Sequence, residues 1–295
     1  MVSFGKCGVT PDALAALRTY FFDCDSTLTA VEGIDILADT DEKKREIAAL
    51  TQAAMDGKLD LEDIYARRLQ TINPTHEQIR EIRRVYKRNI VEDATEVIAA
   101  LHEQGHKVYI ISGGLAEPVE EFGIYLGVPR QRIRAVNVRY NQLDGNWWQS
   151  DNDNHYLTYQ KGALTVSDGK AQIVRELLAG QYGRSANGRS LLIGDGNSDL
   201  LAGTAVDLFI GYGGVTVREQ VLAQAAVYIH SRSLAPLLAL AAGPAALKRL
   251  PNQNLAQKAV QIIHHGGITF QDEALNQKFR KACQSVYPQA VKTKP

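Results

Sequence analysis

The sequence predicts an α/β fold, a doubly wound parallel sheet interrupted by an inserted helical module and a β-hairpin excursion. Three observations predict it. Short β-prone runs recur at 19–22, 108–111, 191–193, 208–210 and 227–229. Helical spacing fills the stretches between them, as expected of parallel strands joined by crossovers. One of those stretches, about 29–89, is long enough for a module of its own.

The first run, ending in Phe21-Phe22, stops at Asp23. The helical stretch that follows carries apolar spacing at Ile47, Leu50, Ala54 and at Ile64, Leu69. Gly57 and Asn73-Pro74 break it, and four helices with short connections fit. Asp93 is placed to N-cap a helix that runs to His102 and stops at Gly105. The second run ends at Ser112-Gly113-Gly114, and a helix is expected over 117–125. Residues 133–162 alternate, carry Trp147 and Trp148, and hold Asp144-Gly145, a hairpin turn signal. An antiparallel excursion is expected there. Ser167 or Asp168 is placed to cap a helix through Ile173, Val174, Leu177 and Leu178. The run at 191–193 ends at Gly194-Asp195-Gly196, and two more short strands follow. From 231 on the pattern reads as helical, with a break at Gly243-Pro244. Strands alternating with helices make the sheet Rossmann-like.

Bulk properties narrow the partners. Lys plus Arg and Asp plus Glu each total 33, so the net charge is zero, which argues against nucleic acid or an anionic membrane as partner. Cys7, Cys24 and Cys283 are far apart and odd in number, which suits neither a disulfide framework nor a zinc site. The N-terminal residues lack the apolar stretch of a signal peptide, and no run of 18 apolar residues exists. A cytoplasmic protein is expected.

Three of the expected strands end in residues capable of chemistry: Asp23, Ser112 and Asp195. Ligands of an open parallel sheet bind at the carboxyl ends of its strands, so these distant segments would share one crevice. Asp23 and Asp25 put two carboxylates side by side, and such a pair needs a cation or a shared proton. Mg²⁺ suits a few carboxylates while leaving positions for water and phosphate oxygens. Asp195 and Asp199 add carboxylates among glycines. Ser112 and Gly113 offer a hydroxyl and amides ahead of a helix, which suits a phosphate oxygen. Lys170 opens another helix and could add a fixed positive charge.

In order and type these segments resemble the four motifs of the haloacid dehalogenase-like phosphatases. The resemblance implies that Asp23 attacks phosphorus, while Asp25 protonates the leaving oxygen and then activates water. It implies Mg²⁺ held by Asp23, the Asp25 carbonyl and Asp195, with Asp199 supporting the metal site or orienting Lys170. It gives Ser112, Gly113 and Lys170 to the phosphoryl group. A finer resemblance is to phosphoserine phosphatases. It rests on Asp23-Cys-Asp-Ser-Thr-Leu28, Glu32-Gly-Ile-Asp35, Ala54-Met-Asp-Gly-Lys-Leu59, Arg67-Arg68 and Ile111-Ser-Gly-Gly114. It implies a helical cap over 29–89, a core of 1–28 and 90–230, and a substrate ammonium at Glu32 with its carboxylate at Arg68. The chain departs from that pattern at Leu61, where an aromatic is common, and at Asn197-Ser198, where Ala-Asn is usual. Residues 231–295 have no counterpart and are read as a helical extension, serving as extra packing or as the contact of a homodimer. The expected partner is a small phosphate ester, with phosphoserine ahead of other phosphorylated metabolites and of a non-catalytic binding role.

Overall fold

The computed structural model describes residues 17–55, 61–141, 155–180 and 189–289. The strands are β1 (Leu17–Phe22), β2 (Lys107–Leu115), β3 (Ile133–Val136), β4 (Val138–Tyr140), β5 (Tyr156–Tyr159), β6 (Arg189–Gly194), β7 (Leu208–Tyr212), β8 (Val227–Ile229) and β9 (Ile268–Phe270). Seven of them form one sheet in the order β3-β2-β1-β6-β7-β8-β9. All neighbours in it run parallel except β8 and β9. The chain leaves β1 for β2 and β3 on one side, then returns to β6 on the other. The order therefore reverses between β1 and β6, and a crevice opens at their carboxyl ends.

The strands read as unbroken apolar runs because both faces of the sheet are covered. Their side chains alternate between two cores. Tyr20, Phe22, Val108, Ile110, Leu191 and Ile193 enter the larger one. Phe21, Tyr109, Ile111 and Leu192 enter the other, with Val174 and Val221 from the covering helices.

Between β1 and β2 lie α1 (Gly33–Ile36), α2 (Asp41–Met55), α3 (Leu61–Ile72), α4 (His76–Arg88) and α5 (Ala94–Glu103). The first four make up the inserted module. Its two ends are held side by side: Thr29 and Ile90 form an antiparallel bridge, and Val91 donates its N–H to the Leu28 carbonyl at 2.9 Å. Helix α4 shows how the sequence builds the module. Thr75 and Gln78 close a capping box at its start, and Lys87 and Arg88 suit the negative end of its dipole. Ile79, Ile82 and Tyr86 then lie on one buried face.

Two expectations need correction. The antiparallel excursion is present, but it does not take in all of residues 133–162. β3 joins the main sheet beside β2, and the antiparallel pair described within this stretch is β4 with β5. The run at Ile133 is apolar enough to be taken up by the sheet edge before the chain turns away. The Asp144-Gly145 turn and both tryptophans lie outside the described residues, as does the 56–60 stretch of the cap run. The C-terminal segment is not purely helical either. It contains β9, which pairs with β8, as well as α10 (Pro236–Ala242), α11 (Gln253–His264) and α12 (Glu273–Val286). Leu237, Leu240, Leu255, Ile263 and Phe279 belong to the larger core, so this segment covers one face of the sheet. The remaining helices are α6 (Ala116–Tyr125), α7 (Gly169–Gly180), α8 (Asn197–Ala202) and α9 (Glu219–Gln224). None of the described helices is long and apolar enough to cross a membrane.

Candidate active site

Parallel pairing of β1 with β6 brings Asp23 and Asp195 together, since each directly follows its strand. The Asp23 amide donates to the Ile193 carbonyl at 3.0 Å, which fixes the exit of the chain from the sheet. Asp23, Asp195 and Asp199 are all buried, and one carboxylate oxygen from each lies within 4.8 Å of the others. Lys170, at the start of α7, sits against this cluster. Its Nζ is 2.6 Å from Asp23 Oδ1 and 2.7 Å from Asp199 Oδ1. Burial works against the lysine charge, but the Asp199 and Asp23 carboxylates outweigh it and hold the ammonium protonated.

Asp25 points away from that cluster. Its Oδ1 accepts from the Tyr86 hydroxyl at 2.5 Å and from the Gly33 amide at 2.8 Å. Its Oδ2 accepts from the Ser112 hydroxyl at 3.3 Å. Gly33 must be a glycine for this contact, because a Cβ there would lie 2.1 Å from the Tyr86 hydroxyl oxygen. Burial raises the Asp25 pKa to about 6 despite these donors, with the Asp23 charge adding to the rise.

Asp195, Asp199 and Glu32 are perturbed in the same direction. Burial lifts Asp195 to about 6 although Arg218 opposes it. Asp199 rises to about 8, through burial first and the Asp23 charge second. Burial, then Asp25 and Asp195, push Glu32 well above the usual carboxylate range. Five carboxylates therefore crowd one site against the cations Lys170, Arg218 and Arg68. Such an excess of buried negative charge favours a bound divalent cation.

A cavity opens over these groups, lined among others by Asp23, Asp25, Glu32, Arg68, Gly113 and Lys170. Ser112, Asp195 and Asp199 are not part of its lining and stand behind it as supports. Arg68 reaches in from the inserted module. It is 5% exposed, donates from Nη1 to the Thr51 hydroxyl at 3.0 Å, and leaves Nε without a hydrogen-bond partner among the described residues. Thr51 in turn donates to Asp35 at 2.7 Å, so the guanidinium is fixed from behind.

Several groups here were not singled out in the sequence. Tyr86 sits on a helix of the inserted module and reads there as one more apolar position. Arg218 lies in the loop after β7, where only Gly213-Gly214 after a strand hints at a close approach. Its Nε is 2.9 Å from Asp195 Oδ2, and it reaches Gln52 of α2 at 3.1 Å and Glu32 at 3.8 Å.

Comparison with known proteins agrees with this geometry. A family model of haloacid dehalogenase-like hydrolases matches residues 20–203. A phosphoserine phosphatase of Drosophila melanogaster is 30% identical over 209 residues, covering 70% of this chain and 73% of that protein. The human phosphoserine phosphatase is 30% identical over 208 residues, covering 70% of this chain and 87% of its own. Among solved structures, a phosphoserine phosphohydrolase-like protein of Francisella tularensis superposes with a TM-score of 0.60 at 25% identity, over 76% of this chain and 99% of that one. A substrate-bound phosphoserine phosphatase shares the fold with a TM-score of 0.62 at 22% identity, over 75% of this chain and 97% of that one. Site geometry, fold and sequence match converge, and the chain belongs to the haloacid dehalogenase-like hydrolases.

Proposed function

We propose that this chain is a magnesium-dependent phosphatase that hydrolyses phosphoserine through a phospho-aspartyl intermediate on Asp23. The class of reaction is secure: its relatives make it a phosphoric monoester hydrolase. The observation that carries the finer reading is the pairing of two chemistries across one cavity. Asp23, Asp25 and Lys170 line it from the sheet side, and Glu32 and Arg68 line it from the inserted module.

In the first step an Asp23 oxygen attacks phosphorus and the bond from phosphorus to the serine oxygen breaks. Asp25, in its protonated form, gives its proton to that oxygen. A carboxyl raised to about 6 is suited to donate near neutrality and then to accept. Its Oδ2, with one long hydrogen bond from Ser112, is the freer oxygen to carry the proton. In the second step Asp25 takes a proton from water, the water oxygen attacks phosphorus, and the bond to Asp23 breaks to release phosphate. Lys170 and the Gly113 amide, which line the cavity, offset the charge on the phosphoryl oxygens, and the Ser112 hydroxyl would join them only on turning from Asp25.

The carboxylate cluster fits Mg²⁺, which would be held by Asp23, the Asp25 carbonyl and Asp195, with Asp199 behind. Bound there, the ion supplies positive charge to the phosphoryl group and offsets repulsion toward the incoming carboxylate. Glu32 would pair with the substrate ammonium. The unpartnered Arg68 Nε marks a donor waiting for an acceptor, and a planar guanidinium suits a carboxylate. Residues 29–89 would act as a cap that brings both groups over the ester.

Steady-state hydrolysis of L-phosphoserine and phosphoethanolamine tests the reading. Phosphoethanolamine keeps the ammonium and lacks the carboxylate. Arg68→Ala should raise KM for phosphoserine by roughly 100-fold and leave phosphoethanolamine nearly unchanged, as loss of a buried charged contact predicts. Equal losses on both esters would remove the carboxylate assignment. Phosphate release by Asp23→Asn at the wild-type rate would remove the mechanism.

A further inference from the structure

The returning linker of the inserted module ends at Glu92 and Asp93, and both are gripped by the C-terminal segment. Glu92 forms a parallel bridge with Ser233, and the Leu234 amide donates to the Glu92 carbonyl at 2.9 Å. The Ser233 hydroxyl donates to Asp93 Oδ2 at 2.5 Å. Lys258, on α11, places its ammonium 2.6 Å from Glu92 Oε1 and 2.6 Å from Asp93 Oδ2.

Asp93 sits where an N-cap residue of α5 belongs, yet its side chain makes no capping bond. An aspartate there ordinarily turns its carboxylate onto the first amides of the helix. Here the carboxylate is diverted to Ser233 and Lys258. The backbone of Asp93 is also left-handed, at φ 64° and ψ 9°, a conformation uncommon for a residue with a Cβ, though aspartate adopts it more readily than most. Strain of this kind persists only where the surroundings over-determine it, and it gathers at switch regions. The partners that over-determine Asp93 both come from beyond residue 231.

What lies on the other side of Asp93 gives the grip its consequence. The Val91 amide bonds the Leu28 carbonyl, and the Ala30 amide bonds the Asn89 carbonyl at 2.7 Å, so the linker runs along the loop that carries Asp23 and Asp25. Tyr86, in the turn of α4 just before, holds Asp25.

We propose that the C-terminal segment is a clasp on the cap linker, with Lys258 and Ser233 as positioning residues. Acting through Asp93, they set the angle at which the cap meets the core. They thereby set how closely Glu32 and Arg68 approach an amino-acid head group. The proposal rests on the reading of Glu32 and Arg68 as the substrate-binding pair.

Kinetics and hydrogen exchange on the full chain test it together. Lys258→Met should raise KM for phosphoserine about five-fold, with kcat/KM unchanged for p-nitrophenyl phosphate, which offers nothing to Glu32 or Arg68. Lys258→Arg should restore the wild-type KM. Asp93→Gly adds a sharper arm. Glycine relieves the left-handed backbone, so if only turn geometry mattered the variant would behave as wild type or better. The clasp requires it to raise KM as Lys258→Met does. In both variants amide exchange should quicken in 61–72 and stay unchanged in β6. Wild-type kinetics in Lys258→Met, or exchange that quickens everywhere, overturns the proposal. If the wild-type chain itself proves inactive on phosphoserine, the functional reading falls, and exchange alone decides the clasp by the same criterion.

Discussion

Tyr86 shows how a single hydroxyl can matter at a site whose charges come from elsewhere. Its ring packs edge-on against Phe122, with centroids 5.4 Å apart, and its hydroxyl reaches Asp25 at 2.5 Å. Burial first, then the Asp25 charge, raise the phenol well above its ordinary range, so it stays a donor. Tyr86→Phe keeps the packing and removes only that donor. On the proposed mechanism the expected result is a kcat on phosphoserine lower by roughly ten-fold with KM within two-fold, since Asp25 as the proposed acid–base group would lose its orientation rather than its contact with substrate. A rise in KM at constant kcat would place Tyr86 in substrate binding instead. The sequence could not have singled this residue out. At 79, 82 and 86 it completes a helical apolar stripe, and the stripe is real. What pattern cannot show is that the end of the stripe lies beneath a carboxylate 61 positions away in the chain.

At the scale of elements, legibility followed the range of the forces. Asp23 and Asp195 were readable because a parallel sheet delivers its strand ends to the same edge, whatever the loops do. Ser112, expected at a strand end, lies inside β2, which runs on to Leu115. The helix start at Lys170 was readable because a basic residue opposes the dipole there and so calls for a reason. Arg218 was not, since a loop after β7 has no periodicity; its contact with Asp195 joins two loops separated in sequence, and that with Gln52 depends on the packing of the inserted module. β9 was missed for another reason. Ile268, Thr269 and Phe270 are suited to a strand, but three residues after Gly266-Gly267 are too few to establish alternation. Its presence changes the meaning of the C-terminal segment. Phe270 and Phe279 meet at a tilt, with ring centroids 5.1 Å apart, and enter the same core as β1 and β6. Phe279→Ala should therefore lower the stability of the entire chain by about 3 kcal/mol, the cost of a large-to-small change in a packed core. A single, cooperative denaturant transition shifted to lower midpoint is expected. A separate early transition, with the main one unmoved, would mean that the segment folds on its own.

Across the whole molecule, the acidic site should make stability depend on pH and, with Mg²⁺ bound there as proposed, on metal in a linked way. Asp25 and Asp195 sit at about 6 and Asp199 at about 8 in the folded chain, all above the ordinary value of 3.8. A carboxyl raised on folding binds more protons in the folded state than in the unfolded one. Its favourable contribution is thus complete below the unfolded value and is lost as pH rises through the folded one. For these groups the metal-free protein should lose stability between about pH 4 and 8. His106 acts in the opposite sense. Burial first, and Arg18 second, depress it to about 4, so its contribution is present above the usual 6.5 and is lost as pH falls toward 4. Adding Mg²⁺ should reverse the first trend, because the ion binds ionised carboxylates in the folded chain and finds no such cluster in the unfolded one. Thermal melts in Mg²⁺ and in EDTA, at pH 5 and pH 8, check this. The metal should raise the midpoint by roughly 5 °C at pH 8 and by far less at pH 5, where protons compete for the same oxygens. Asp195→Asn should abolish most of the rise at pH 8 while leaving the fall in stability due to His106 in place. Equal shifts at both pH values would show that Mg²⁺ stabilises the chain somewhere other than at Asp23 and Asp195.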